Sequence, residues 1–103
     1  MPRHYVDTLI LEVIEKGLDS LGNSPKRAIW VFLETDFNVK RNDLPGNIRE
    51  FHEGLQKIFG LGYKFLDKLF CHYLQEATKK RFDENQCFAD CVESLLESEN
   101  NSK

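Results

Sequence analysis

The stretch Ser24-Pro25-Lys26-Arg27-Ala28-Ile29-Trp30-Val31-Phe32-Leu33 decides the fold that this sequence predicts. Ser24 can cap the first free N–H groups of a helix, and Pro25 suits the first turn because its missing donor is not needed there. Six apolar residues then follow one another from Ala28 to Leu33. A surface helix has one apolar stripe, whereas a helix that is apolar on all sides is normally buried. The stretch therefore predicts a central helix over residues 24–36, against which other helices pack.

Composition and charge limit the class of protein. A chain of 103 residues has the size of one domain, and its hydrophobic share of 41% is enough for one core. The 14 basic and 17 acidic residues give a formal net charge of -3, so the whole chain is not drawn to nucleic acid or anionic lipid. No apolar run approaches the roughly 20 residues that cross a bilayer, and no secretion signal is visible. We expect a cytoplasmic protein with no membrane contact.

Apolar residues recur at intervals of three and four in further segments, which predicts amphipathic helices. Gly17, within the first of them, costs about 1 kcal/mol relative to alanine unless a neighbour packs closely there. Asn47 and Asp83 are the predicted N-caps of the third and fifth helices, and Phe65 belongs to the predicted buried stripe of the fourth. The segments are residues 4–21, 47–59, 65–81 and 83–97.

The predicted fold class is all-α, a single-domain bundle of about five helices around the central hydrophobic helix over residues 24–36. The domain spans residues 1–97 in this prediction. Residues 98–103 are polar and continue no apolar stripe, so we expect a disordered tail there.

Trp30 is the single tryptophan, and it lies inside the run of six apolar residues. A small monomer cannot easily bury six consecutive helical positions, so one face of this helix is predicted to be covered by a partner. Obligate interfaces resemble a core cut in half, which makes a second copy of the chain one such partner. The predicted interface residues are Trp30, Ile29 and Leu33.

Basic residues come in pairs, and the two pairs that frame the central helix are a candidate basic patch: Lys26, Arg27, Lys40 and Arg41. If they converge, they can hold a phosphate backbone or an acidic peptide. The ordinary alternative is that these charges belong to a solvated face. Nucleic acid is accordingly a secondary expectation among the partners.

The three cysteines, Cys71, Cys87 and Cys91, cannot all pair within one chain, and free thiols are expected. Cys87 and Cys91 are one helical turn apart and can share a metal or meet an oxidant. A zinc site needs further ligands, and the adjacent residues Cys71 and His72 point about 100° apart on a helix. Because both helix-five cysteines fall on the apolar stripe, the sequence favours core residues. It predicts no metal ligand and no cofactor, and a metal or redox sensor is the third alternative.

Enzymatic chemistry has no recognisable pattern in this chain. None of the three histidines is spaced for work beside a nucleophile or an orienting carboxylate. Gly60-x-Gly62 lies between two predicted helices and lacks the strand and the further residues of a phosphate-binding loop. We expect no catalytic residues and no enzyme.

Several elements together resemble one family. They are Leu18-Asp19-Ser20-Leu21-Gly22, then Ser24, Lys26 and Ala28-Ile29-Trp30, a connector ending in Leu44-Pro45, and Phe51-x-x-x-Leu55-x-x-Ile58-Phe59-Gly60-x-Gly62. This combination, over Ile14 to Leu74, resembles the small archaeal nitrosopumilus output domain. The family commonly has a small residue where this chain has Tyr63, and Cys87 and Cys91 lie outside the resemblance.

The resemblance implies an output module of archaeal signalling proteins, and it carries over no activity and no site residue. With the residue patterns, it leads to a non-enzymatic helical protein-interaction module, as a signalling output or regulatory domain, acting on an unidentified protein partner or as a homodimer. The alternative is a nucleic-acid-associated regulator that uses the candidate basic patch.

Overall fold

The computed structural model describes the backbone of residues 3–101 and the side chains of residues 5–98. Over residues 3–101 the chain forms helices and turns and no strand, which confirms the predicted all-α fold. Short 3-10 turns lie at Arg41–Asp43 and Gly60–Gly62, and the second directly joins two helices. The α-helices are α1 (Arg3–Asp19), α2 (Asn23–Phe37), α3 (Ile48–Phe59), α4 (Tyr63–Thr78) and α5 (Phe88–Asn101).

Two predicted helix starts differ from the structure, and the third agrees in position but lacks the capping hydrogen bond. Gly22 precedes α2 with φ at 100°, and no side chain caps this end, so Ser24 lies within the helix and is not its cap. Asn47 is at the cap position of α3, but its side chain makes no capping hydrogen bond. Asp83 lies five residues before α5, where its carboxylate accepts the N–H of Asn85 at 2.9 Å and organises a turn instead.

The C-terminal boundary also differs. Helix α5 runs to Asn101, so residues 98–101 are helical where a disordered tail was predicted. The polar composition of this segment does not prevent a helix from continuing, because helix formation is cooperative once a packed first turn is in place. The last two residues of the predicted tail, 102 and 103, lie outside the described residues.

The core lies between α1, α4 and α5, with α3 closing one side. Helices α1 and α4 make the most extensive contact. Three fully buried phenylalanines link the helices: the ring centroid of Phe70 lies 6.1 Å from that of Phe51 and 4.9 Å from that of Phe88. Rings at these separations attract each other in addition to the area they bury.

Two glycines allow helices to approach closely. Gly17 of α1 faces the Phe70 ring, and a Cβ atom at residue 17 would come within 2.5 Å of Phe70 Cδ1. This is the close packing that the Gly17 prediction required. Gly54 of α3 has the same role against α2, where a Cβ atom would overlap Cδ2 of Leu33 and lie 3.3 Å from Cδ2 of Phe37.

Helix α2 is not the central helix, and that prediction is wrong. It packs mainly against α3, and its buried residues are Ile29 and Leu33. Val31 is 61% exposed, although it lies in the middle of the six apolar residues. Successive helical residues point about 100° apart, so six of them cover every side of the helix, and an edge helix can bury only one side. The central position belongs to α1 and α4.

Candidate functional site

The predicted interface residues are largely covered by the chain itself. Ile29 is 5% exposed and Leu33 is fully buried, so both belong to the core. Trp30 is partly buried, and its ring centroid lies 6.1 Å from that of Phe51. Ile29 and Leu33 are buried because they are one helical turn apart and form the side of α2 that faces α3.

Apolar side chains line a groove at the contact between α2 and α3. The groove has a volume of about 340 Å³ and is lined by Ala28, Ile29, Phe32, Lys57 and Ile58. We refer to three of these residues, Ala28, Phe32 and Ile58, together with the exposed Leu61 and Phe65 that follow in the chain, as the apolar surface. Leu61 follows Ile58 after one turn of chain and is 84% exposed, and Phe65 is 82% exposed. Phe65 therefore does not belong to a buried stripe, in contrast to the prediction.

The candidate basic patch is partly neutralised. Lys26 Nζ forms ion pairs with Glu15 and with Asp19, the latter at 2.7 Å, and Arg41 Nε lies 2.7 Å from Glu15 Oε1. The hydrogen bonds to Asp19 and then to Glu15 raise the pKa of Lys26. Two of the four cations are thus committed to acids on α1, and the nucleic-acid alternative rests on the exposed Arg27 and Lys40.

Three potential ligand residues from different elements meet at the side of the bundle. His52 comes from α3, Asp67 from α4, and Cys87 from the residue before α5. One ligand atom of each lies within 4.8 Å of the other two, and all three side chains are half-buried. We call this group the His52–Asp67–Cys87 cluster.

Neighbouring groups hold the cluster in place. Asp67 Oδ1 accepts the N–H of Phe88 at 2.9 Å, a favourable position for a carboxylate because it lies at the positive end of α5. His52 Nδ1 lies 3.3 Å from the hydroxyl of Tyr63, which is itself buried. Burial raises the pKa of Tyr63, and the nearby Asp67 raises it further. The Tyr63 side chain therefore remains a neutral hydroxyl next to the imidazole.

The thiols have distinct environments. Burial raises the pKa of Cys87, and Arg49 Nη1 lies 3.9 Å from its sulfur. A hydrogen bond joins Cys71 to the fully buried Cys91 and raises the pKa of Cys71. Cys91 is thus a core residue, as the apolar stripe predicted, whereas Cys87 faces the cluster. The two thiols of the Cys87-x-x-x-Cys91 pattern therefore lie in different environments.

Arg49 links α3 to the start of α5. Its Nε lies 3.0 Å from Glu93 Oε2 and its Nη2 lies 2.6 Å from Glu93 Oε1, and Nη2 also pairs with Asp90. The hydrogen bond from Arg49 lowers the pKa of Asp90. Because Asp90 Oδ2 in turn accepts the N–H of Cys87 at 3.4 Å, this network positions the backbone that carries the Cys87 thiol.

An open cavity of about 590 Å³ borders the cluster. Asp67, Cys71 and Cys87 line one part of it, and Lys64 and Lys68 lie at its rim. The cavity gives solvent and small ligands access to two members of the cluster. The lining also includes the acids Asp83 and Glu84, so the charges around the opening are mixed.

Sequence reasoning missed two of the three cluster residues. It gave His52 and Asp67 no functional role, because the two lie on different helices and share no local spacing with Cys87. The residue it weighed beside Cys71, His72, is exposed and lies 3.6 Å from Glu76 Oε1. Only contacts between helices distinguish His52 from His72.

Comparison of the chain with protein-family models, curated proteins and solved structures gives no match. The resemblance to the nitrosopumilus output domain therefore stays a prediction. Among the helices of residues 3–101, none combines the length and the apolar character that crossing a membrane requires.

Proposed function

We propose that this chain is a non-enzymatic helical module that binds an amphipathic helix of another protein on its apolar surface. The observation that carries this proposal is the exposure of Leu61 and Phe65, at 84% and 82%, a short distance along the chain from Ile58, which lines the groove between α2 and α3. Large apolar side chains that are exposed singly are normal, but a contiguous patch marks an interaction site.

The shape and the charge of the region favour a helix as the occupant. A groove between two helices accepts apolar side chains that recur every three or four residues on a docked helix. Lys57 lines the groove, and the exposed Arg27 and Lys64 adjoin Ala28 and Phe65 in the chain. These cations favour a partner helix whose apolar stripe is flanked by acidic residues.

The resemblance to an output domain supports a regulatory role for this binding, as a signalling output or regulatory domain. A second copy of the chain is the other occupant that the apolar surface admits. In such a dimer the protruding Leu61 and Phe65 of one copy would meet the groove of its partner, a self-complementary arrangement that two-fold symmetry requires.

Selection from a displayed library of random helical peptides tests the proposal. We expect the full chain to enrich peptides with an apolar stripe and acidic flanks. Phe32→Ser and Phe65→Ser should each lower the affinity of an enriched peptide about tenfold or more, as expected for side chains at the centre of an interface. Tyr5→Ser is the matched control, since Tyr5 is 53% exposed on α1, outside the apolar surface.

Three results would contradict the proposal. They are a selection without enrichment, peptides whose binding is insensitive to both phenylalanine variants, and a wild-type chain that sediments as a dimer and loses this state in Phe65→Ser. The last result would assign the apolar surface to self-association.

A further inference from the structure

We propose that His52, Asp67 and Cys87 form a binding site for Zn²⁺. The site draws one ligand from each of three elements: α3, α4 and the residue that precedes α5. Its ligand atoms already lie within 4.8 Å of one another without any rearrangement of the backbone. The inference is independent of the apolar surface, because none of the three residues belongs to it.

The donor set matches the chemistry of zinc. Zn²⁺ binds imidazole nitrogen, carboxylate oxygen and thiolate sulfur at about 2.0–2.3 Å and prefers a tetrahedral arrangement, in which ligand atoms lie roughly 3.3–3.8 Å apart. The cluster approaches this spacing, and side-chain rotations can close the remainder. Calcium and magnesium prefer sites composed entirely of oxygen, so a thiol and an imidazole favour a softer transition metal.

The surroundings of the three ligands resemble those of a metal site. Metal ligands are usually held by a second layer of hydrogen bonds. Asp67 Oδ1 accepts the N–H of Phe88, and the Tyr63 hydroxyl also interacts with the Asp67 carboxylate, so this carboxylate is held in place. The Tyr63 hydroxyl, 3.3 Å from His52 Nδ1, orients the imidazole, and Arg49 Nη1 lies 3.9 Å from Cys87 Sγ.

Three protein ligands leave one tetrahedral position for another group. Zinc sites with three protein ligands keep the fourth for water or a bound molecule. The cavity of about 590 Å³ borders Asp67 and Cys87, so solvent can reach this position. The Cys71 thiol also borders the cavity, but it is not a member of the cluster.

Cobalt serves as the spectroscopic probe. Titration of the reduced full chain with Co²⁺ should give one ion per chain, a thiolate-to-cobalt charge-transfer band and the strong visible bands of tetrahedral cobalt. Zn²⁺ should displace the cobalt and raise the Tm of the chain, because a ligand that binds only the folded state stabilises it. The metal ion links three elements of the bundle, so the thermal shift reports on the site without any assay of activity.

Conservative variants test each ligand. Cys87→Ser should abolish the charge-transfer band. His52→Gln and Asp67→Asn should each weaken Zn²⁺ binding by more than about 100-fold, the upper end of the loss that removal of an outer-layer contact causes. Asp67→Asn retains an oxygen that can accept the N–H of Phe88, and far-ultraviolet circular dichroism checks that each variant is folded.

His72→Gln and Cys91→Ala are the matched controls. They remove a histidine of α4 and a cysteine of α5 that are not members of the cluster, and both should bind Zn²⁺ like the wild type. The proposal is overturned if the wild type shows no tetrahedral cobalt spectrum. It is equally overturned if the charge-transfer band survives Cys87→Ser or if either control variant loses the metal.

Discussion

Gly17 of α1 forms the surface on which the ring of Phe70 of α4 rests. The Phe70 side chain is fully buried, and a Cβ atom at residue 17 would lie within 2.5 Å of its Cδ1 atom. The contact lies at the most extensive helix pair of the bundle. Close approach of α1 and α4 thus depends on the absence of one methyl group.

Gly17→Ala is expected to destabilise the chain although alanine is the better helix former. The gain in helix propensity is about 1 kcal/mol, but the clash with Phe70 must shift a buried ring, and overpacking of this kind costs about 1–3 kcal/mol. We expect a net loss in the free energy of unfolding, measured by urea denaturation.

Gly62→Ala is the matched control for Gly17→Ala. A Cβ atom at residue 62 meets nothing within 4 Å, and the backbone there has φ at -63°, which any residue adopts. This substitution should be neutral or should stabilise the chain by about 0.4–1 kcal/mol. Equal effects of the two variants would show that Phe70 does not pack on Gly17.

Because α2 lies at the edge of the bundle, substitutions of two nearby side chains are expected to differ strongly in their effect on the free energy of unfolding. Leu33 is fully buried, and Leu33→Ala should cost about 2–5 kcal/mol because it leaves a cavity against α3. Val31 is 61% exposed, and Val31→Ala should change stability by no more than about 0.5 kcal/mol. Thermal and urea denaturation measure both losses. Similar losses at the two positions would indicate that α2 is buried on both sides and is central to the core.

The environment of Trp30 predicts that two substitutions of this residue differ in their effect on stability. Its indole N–H is buried and has no hydrogen-bond partner among the described residues, while its ring packs against Phe51. Trp30→Phe keeps a ring there and removes a buried donor whose lack of a partner costs about 1–3 kcal/mol. We expect it to cost less than about 1.5 kcal/mol, and Trp30→Ala to cost about 3–5 kcal/mol. Circular dichroism during urea unfolding gives both values, and equal losses would mean that the N–H is paired.

The ion pairs of Arg49 predict a stability difference that depends on pH. Arg49 lowers the pKa of Asp90, so this interaction stabilises the folded chain above the ordinary carboxyl pKa of 3.8 and is lost as the pH falls through the lower folded value. The groups are substantially exposed and screened, so we expect Arg49→Gln to cost about 0.5–1 kcal/mol at pH 7. The difference from wild type should begin to shrink as the pH falls below about 4, where the unfolded chain takes up the Asp90 proton, and should continue to shrink down to the lower folded pKa of Asp90.

Arg27→Gln provides the control for Arg49→Gln. Arg27 is exposed on α2, and its loss should leave stability nearly unchanged at both pH values. If the Arg49→Gln difference grows as the pH falls, the interaction with Asp90 does not stabilise the folded chain.

Local patterns in the sequence predict much of this fold. The three- and four-residue spacing of apolar side chains identifies the helices, and Gly17 stands out as a position that needs a close neighbour. The exposure of Phe65 and the choice of which helices lie at the centre of the bundle do not follow from such patterns. An apolar residue at helical spacing is buried only if another element covers that side of its helix, and the covering element is distant in the chain.

The candidate zinc site shows the same limit. The spacing of Cys87 and Cys91 predicted that these two thiols can share a metal. The residues that lie near Cys87 are instead His52 and Asp67, which come 35 and 20 residues earlier in the chain. Nothing local to either residue separates it from His72 or from the other acids. The packing of α3 and α4 against the start of α5 brings the three side chains together.

The run from Ala28 to Leu33 shows most plainly what each level of description decides. By itself the sequence indicated that this segment is a helix, because Gly22 ends the preceding helix and Pro25 suits a first helical turn. Only the tertiary structure decided which side of that helix is buried. Gly54 of α3 leaves room for Leu33, and Ile29 and Leu33 are buried whereas Val31 and Phe32 are exposed.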